Sequence, residues 1–149
     1  MLNPDYRDIL SAFSDEKVEF LLVGAYALAV HGRPRATGDI DLWIRRSEEN
    51  ARKVLRALTT FGAPISGLSE ADLTAPDMVF QIGVAPRRID ILTTISGVEF
   101  DEAWEAREEV EIEGLRIPVI SRQHLIQNKR SVGRLKDAAD AEWLQRKPE

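Results

Sequence analysis

The sequence predicts an α/β fold: a mixed sheet flanked by helices, with further helices at the C-terminal end. Three observations carry this. In the first half, apolar runs of strand length alternate with segments of helical periodicity. In the second half, two pairs of short strand-like runs are each separated by a turn, as in hairpins, so the sheet is not purely parallel. The chain has 149 residues, 44% of them hydrophobic and 30% charged, the balance of one globular domain over 1–149.

The elements follow in order. Asn3 can cap a first helix and Pro4 suits its first turn. Tyr6, Ile9, Leu10 and Phe13 then form one apolar stripe. Val18 to Val23 is an apolar run ending at Gly24, and Ala25 to Val30 reads as a short helix stopped by Gly32 and Pro34. From Asp39 to Ile44 the residues alternate, with Asp39 and Asp41 on one strand face and Ile40 and Leu42 on the other. Ser47 can cap the next helix, with Glu48 and Glu49 in its electropositive first turn. Met78–Val84 and Arg87–Leu92 read as a hairpin with Pro86 near its turn. Val110–Ile112 and Leu115–Ile120 read as a second hairpin across Glu113-Gly114, followed by helices from about Ser121 and about Arg134. This divides the domain into a core of about 18–92 and a C-terminal hairpin and helices of about 107–146.

Composition narrows the function classes. There is no Cys, which excludes disulfides, thiolate metal sites and a Cys nucleophile. The longest mostly apolar stretch, Phe20 to Val30, is too short to span a bilayer, and the Asn3-Pro4-Asp5 start is unlike a signal peptide. We therefore expect a cytoplasmic protein with no membrane partner. A net charge of −5 argues against broad non-specific nucleic-acid binding. The charges are uneven. Glu99 to Glu113 is acidic and reads as a solvated face. Arg122 to Lys136 carries Lys129, Arg130 and Arg134 with no acid, and would help an anionic ligand or RNA to dock.

The chemistry-bearing residues lie in the core. A strand running into Gly24 and then a helix leaves free backbone N–H groups at a positive helix end, where phosphate oxygens bind. Gly24 also permits close backbone approach. Asp39 and Asp41 project from one strand face, where two ionised carboxylates repel unless a cation or hydrogen bonds compensate. Mg²⁺ suits such oxygen-only ligands, and Mn²⁺ is the alternative. Asp90, flanked by Ile89 and Ile91, completes a three-carboxylate site if its strand lies beside that of Asp39. We read Arg87 and Arg88 as hairpin-edge charges, His31 as structural, and Trp43, Trp104 and Trp143 as packing residues, with Trp43 on the strand face of Asp41.

The order hydrophobic-Gly-small, spacer, Asp-hydrophobic-Asp resembles the signature of the DNA polymerase β-type nucleotidyltransferase superfamily. Within it the chain resembles small stand-alone prokaryotic members, including AbiEii-type toxin transferases, and its layout is similar to that of small lincosamide nucleotidyltransferases. The core likeness covers about Val18 to Leu92. A tail likeness covers about Ile117 to Asp140, through Ile117-Pro118-Val119, Lys129 and Arg134-Leu135-Lys136-Asp137. Many members carry Gly-Ser or Gly-Gly where this chain has Gly24-Ala25; the hydroxyl is lost and the backbone donors remain.

The resemblance implies two-metal nucleotidyl transfer from an NTP such as ATP to a hydroxyl, with release of pyrophosphate. It assigns Asp39 and Asp41 to both metals and Asp90 to the metal near the attacking hydroxyl. Gly24 and Ala25 would meet the terminal phosphates, and Lys129 would neutralise triphosphate charge. Arg33, Arg35 and Thr37, in the loop leading to Asp39, would contact nucleotide or acceptor. Asp137 would assist the acceptor side or cap the last helix.

The acceptor stays open: RNA or tRNA for a toxin-type enzyme with a cognate antitoxin, or a small molecule of antibiotic type. A small-molecule site in so short a chain would be shared across a homodimer. A non-catalytic relative kept as a binding partner of another protein, and an unrelated α/β binding domain, are the competing classes.

Overall fold

The computed structural model describes residues 2–33 and 38–146. The elements run α1 (Pro4–Asp15), β1 (Phe20–Val23), α2 (Gly24–Val30), β2 (Ile40–Ile44), α3 (Glu48–Phe61), α4 (Glu70–Thr74), β3 (Val79–Ile82), β4 (Ile89–Leu92), α5 (Phe100–Glu105), β5 (Glu108–Ile112), β6 (Leu115–Val119), α6 (Arg122–Val132) and α7 (Leu135–Arg146). The strands form one mixed sheet of order β3-β4-β2-β1-β6-β5. Strand β2 runs antiparallel to β1 and parallel to β4, and β1 runs parallel to β6. Both expected hairpins form, β3–β4 and β5–β6, as antiparallel pairs. Among the described residues no helix is long and apolar enough to cross a membrane.

Local chemistry explains most boundaries. The Asn3 side chain accepts from the Tyr6 N–H at 2.9 Å, and Pro4 needs no donor in the first turn. Ser47 caps α3 by accepting from the Asn50 N–H at 3.1 Å. The inner stripe of α1 (Tyr6, Ile9, Leu10, Phe13) and that of α3 (Val54, Ala57, Leu58) join Ile40, Leu42, Ile44, Ile89 and Ile91 in one core.

Two helices escape the sequence reading. Helix α4 has five residues and α5 six, too few for a periodic signal. The Ser69/Asp72 capping box that starts α4 was the local sign available. Glu99–Glu113, expected to be a solvated face, holds α5 and β5: its acids are largely exposed, while Ala103 is buried and Phe100 stacks on Trp104.

Tyr6 ties the helical layer to the strand ends that matter. Its hydroxyl donates to the Gly38 carbonyl and reaches the Arg88 carbonyl at 3.2 Å, so α1 holds the entries of β2 and β4 together. Burial, then the neighbouring Tyr26 and Asp39, push its pKa up to about 12, which keeps it a donor.

Candidate active site

The parallel pairing of β2 and β4 sets Asp41 directly beside Asp90. Asp39 immediately precedes β2, and the Arg88 N–H donates to its Oδ1 at 3.1 Å. The expected convergence of Asp39, Asp41 and Asp90 on one sheet face is therefore what the structure shows. The row extends both ways, because Val23 on β1 pairs with Asp41 and Gln81 on β3 pairs with Asp90.

Helix α2 starts at Gly24 with no side-chain cap on its first turn. Gly24 has φ +70°, and a Cβ there would stand 2.1 Å from Oδ2 of Asp41. The glycine thus lets the helix start close against the carboxylate. Gly38 makes a similar approach on the other side, where a Cβ would meet the Pro86 carbonyl oxygen at 2.5 Å.

Electrostatics at the acids is tight. Burial, then the Asp90 charge and hydrogen bond, then Asp39, push the Asp41 carboxyl up to about 7. Arg88 partly offsets this. Its Nε lies 2.7 Å from Asp90 Oδ1, and its Nη2 lies 3.1 Å from Asp90 Oδ2 and 3.0 Å from Asp39 Oδ2. The reading of Arg88 as a hairpin-edge charge is corrected: it sits two residues before Asp90 on the same strand face and bridges two of the acids. That period-two spacing was the signal available in the sequence.

A cavity of about 360 Å³ opens beside the acids. Gly24, Ala25, Asp39 and Asp41 line one wall, and Lys129 of α6, Lys136 of α7 and Arg134 in the turn between them line another. A second cavity, of about 380 Å³, lies at Trp43, Arg45, Phe100 and Asp101. It is slightly larger but holds none of the convergent acids, so chemistry rather than size selects the first. Trp43 is buried, and its indole N–H donates to the Thr93 carbonyl at 3.3 Å, a packing role.

The C-terminal residues are differently engaged from the sequence expectation. Lys129 reaches the cavity wall, yet its buried ammonium lies 3.3 Å from Asp137 Oδ1 and 3.4 Å from Asp140 Oδ2. Its pairing follows from Asp137 and Asp140 standing one helical turn apart on α7. Asp137 is itself buried in the first turn of α7, where an acid suits the helix start, and Arg134 lies 2.6 Å from its Oδ2. Burial alone would raise its pKa; the hydrogen bonds from Arg134 and Lys129 outweigh this and hold it below the usual value. Arg33 turns to α7, 3.1 Å from Asp140 and stacked on Trp143, rather than into the cavity. His31 is structural as expected, its Nε2 2.8 Å from the Ile120 carbonyl. Arg35 and Thr37 lie outside the described residues.

The basic stretch from Arg122 is mostly internally bonded. Arg122 donates to the Leu144 carbonyl, Arg130 to Gln145 and Arg134 to Asp137. Lys136 remains on the cavity wall.

The donor set is chemically right for a hard divalent cation: carboxylates only, one of them driven towards protonation by burial and by its neighbouring acids. As they stand, no three ligating side chains among the described residues are placed to hold an ion. The Arg88 guanidinium lies across two of the three acids instead.

A mixed sheet with two aspartates at one strand, a third on the parallel neighbour and a glycine turn against them agrees with the nucleotidyltransferase resemblance of the sequence. The chain belongs to the family described as "Nucleotidyl transferase of unknown function (DUF2204)", whose model matches residues 3–147. Its fold is similar to that of a candidate nucleotidyltransferase, TM1012, from Thermotoga maritima: TM-score 0.63 at 23% identity, over 99% of this chain and 97% of that one. It is also similar to the lincosamide antibiotic adenylyltransferase LnuA in its lincomycin-bound structure, with TM-score 0.61 and 17% identity over 98% of each chain. A third likeness, to ANT(2")-Ia in complex with adenylyl-2"-tobramycin, has TM-score 0.51 and 14% identity over 94% of each chain. At these identities the likenesses show the fold. Among proteins of curated function no sequence matches this chain.

Proposed function

We propose that the protein is a metal-dependent nucleotidyltransferase that moves an NMP group from an NTP to a hydroxyl of a small molecule, releasing pyrophosphate. The observation that carries this reading is the alignment of Asp39, Asp41 and Asp90 on one face, against a helix start that only glycine allows.

Asp39, Asp41 and Asp90 would hold Mg²⁺ or Mn²⁺, which would supply charge neutralisation to the phosphates and to the attacking and leaving oxygens. Gly24 and Ala25 line the cavity wall, where their backbone N–H groups would meet phosphate oxygens. Lys136 and Arg134 add positive charge on the opposite wall, while Lys129 fixes that wall through its two aspartates. Asp90, now held by Arg88, would take the metal near the attacking hydroxyl and accept the hydroxyl's proton once the guanidinium has moved. Arg88 has to leave Asp39 and Asp90 for a cation to take its place.

A small-molecule acceptor is favoured over RNA by one observation. The basic stretch that would dock RNA is largely bonded within the chain, at Arg122, Lys129, Arg130 and Arg134. One structural neighbour is a lincosamide antibiotic adenylyltransferase and another was solved with adenylyl-2"-tobramycin, which supports the same choice. A toxin-type role with an antitoxin partner would need a different RNA-binding face.

The test is incubation with each α-labelled NTP and Mg²⁺ or Mn²⁺ against lincosamide, aminoglycoside and total-RNA panels. We expect label on a small molecule and none with Asp41→Asn. Label on RNA alone would overturn the acceptor assignment, and undiminished transfer by Asp41→Asn would overturn the site.

A further inference from the structure

The cavity beside the acids has two unlike ends, and strand register sets their order. Val23 pairs with Asp41 on an antiparallel neighbour, so Gly24, the next residue, lies towards Asp39. Asp90 pairs with Asp41 and Leu92 with Trp43, so Leu92 lies on the far side of the acids from Gly24. Beyond Leu92 the chain enters a turn in which Ile95 bridges Val98. Leu92 and Ile95 line the cavity, together with Asn128 and Val132, which stand one helical turn apart on α6.

This turn is bound to α6. The Gln127 side chain donates to the Gly97 carbonyl at 2.8 Å, and Asn128 Nδ2 donates to the Ser96 carbonyl at 2.9 Å. Gly97 has φ +76°, and a Cβ there would meet Ser131 Cβ at 2.5 Å, so the glycine lets the turn lie against the helix. The apolar side chains on this wall are left partly open. Leu92 and Ile95 are half-buried and Val132 is 39% exposed.

Asn128 is the neutral polar side chain of that end. The Ser96 carbonyl can only accept, so it fixes which side of the amide is Nδ2. Oδ1 turns away from the Ser96 oxygen, which it would repel. The second N–H and Oδ1 then form a donor–acceptor edge that nothing among the described residues engages. An adenine edge, with its N6–H donor beside a ring-nitrogen acceptor, is the complement of such an amide.

We infer that the base of the NTP lies on Leu92, Ile95 and Val132 with its edge on Asn128, while the β- and γ-phosphates lie on the Gly24 side. The inference rests on the nucleotidyl-transfer reading and adds the direction in which the nucleotide lies. An α-phosphate at the acids joins phosphates on one side to a nucleoside on the other, and the order Gly24, acids, Leu92 matches that sequence of groups. A flat ring over three partly open apolar side chains removes their surface from water. Asn128 and Val132 are then base-binding residues, with no part in holding phosphate.

Calorimetric titration of the full chain in Mg²⁺ tests this with two probes. One is α,β-methylene-ATP, whose P–C–P link prevents transfer; the other is inorganic tripolyphosphate, which has no base. We expect Asn128→Ala to weaken binding of the nucleotide roughly three- to tenfold, the scale of one hydrogen-bonded contact. Val132→Ser should weaken it roughly threefold through lost apolar contact. Tripolyphosphate binding should be unchanged by either. Equal weakening of both probes, weakening of neither, or weakening of tripolyphosphate alone overturns the inference and leaves the nucleotidyl-transfer reading standing. A wild type that binds neither probe overturns that reading and this inference with it. Val132→Ser leaves the Ser96 bond in place, so it is read alone if Asn128→Ala fails to fold: selective loss of the nucleotide supports the inference and unchanged binding overturns it.

Discussion

A methyl group on Gly24, at the start of α2, would stand 2.1 Å from Oδ2 of Asp41 on β2. The two positions are far apart in sequence and joined by one steric requirement. We therefore expect Gly24→Ala to act through Asp41. The backbone φ of +70° adds strain of about 1–2 kcal/mol for a side-chain-bearing residue. Thermal unfolding should show a loss of that order, and metal-dependent transfer should fall far more than the stability. Full activity in Gly24→Ala would show that the close approach is dispensable.

Asp41 predicts an inverted pH dependence. Its folded pKa of about 7 lies above the ordinary value of 3.8, so between them the folded protein keeps a proton that the unfolded chain has released. Stability contributed by this group is thus present at low pH and is lost as pH rises towards 7. Asp41→Asn should raise the metal-free melting temperature at pH 8, by an amount corresponding to on the order of 2–4 kcal/mol. The gain should shrink as pH falls through that window and be absent below it. An equal difference at both ends would refute the assignment.

Arg88 should compete with a bound cation. Its guanidinium holds Asp39 and Asp90 through contacts of 3.0 and 2.7 Å. Arg88→Gln removes that positive charge and leaves the acids more attractive to Mn²⁺. Titration followed by electron paramagnetic resonance, without nucleotide, should show affinity higher by roughly tenfold, a common scale for one such charge. Unchanged or weaker binding would mean that the guanidinium and the cation do not share these oxygens.

Lys129 should behave as a buried partner of two acids. Lys129→Met removes the cation that Asp137 and Asp140 share, while Arg134 and Arg33 stay beside them, so the cost should fall below the about 3–5 kcal/mol of a fully broken buried pair. Asp137 is held below its ordinary pKa, so its contribution is present above the ordinary carboxylate range and is lost as pH falls through the lowered value. The melting-temperature gap between wild type and Lys129→Met should therefore close in acid. A gap that does not change from neutral pH to strongly acidic solution would place the lysine's role elsewhere.

The sequence by itself determined what neighbours along the chain decide. Asn3 and Ser47 mark helix starts because a cap needs only the next few N–H groups. Asp39 and Asp41 share a face because strand side chains alternate, and Glu113-Gly114 turns a hairpin over a few residues. Tertiary structure alone decided which strands lie side by side. That β4 runs parallel beside β2, setting Asp90 against Asp41, depends on burying Ile40, Leu42, Ile89 and Ile91 under the same helices, a condition on the whole core. The same holds for Lys129, whose anions come from the next helix, and for Arg88, whose second acid precedes another strand. Long side chains reach whatever the fold brings near them, and that proximity is fixed by packing rather than by spacing.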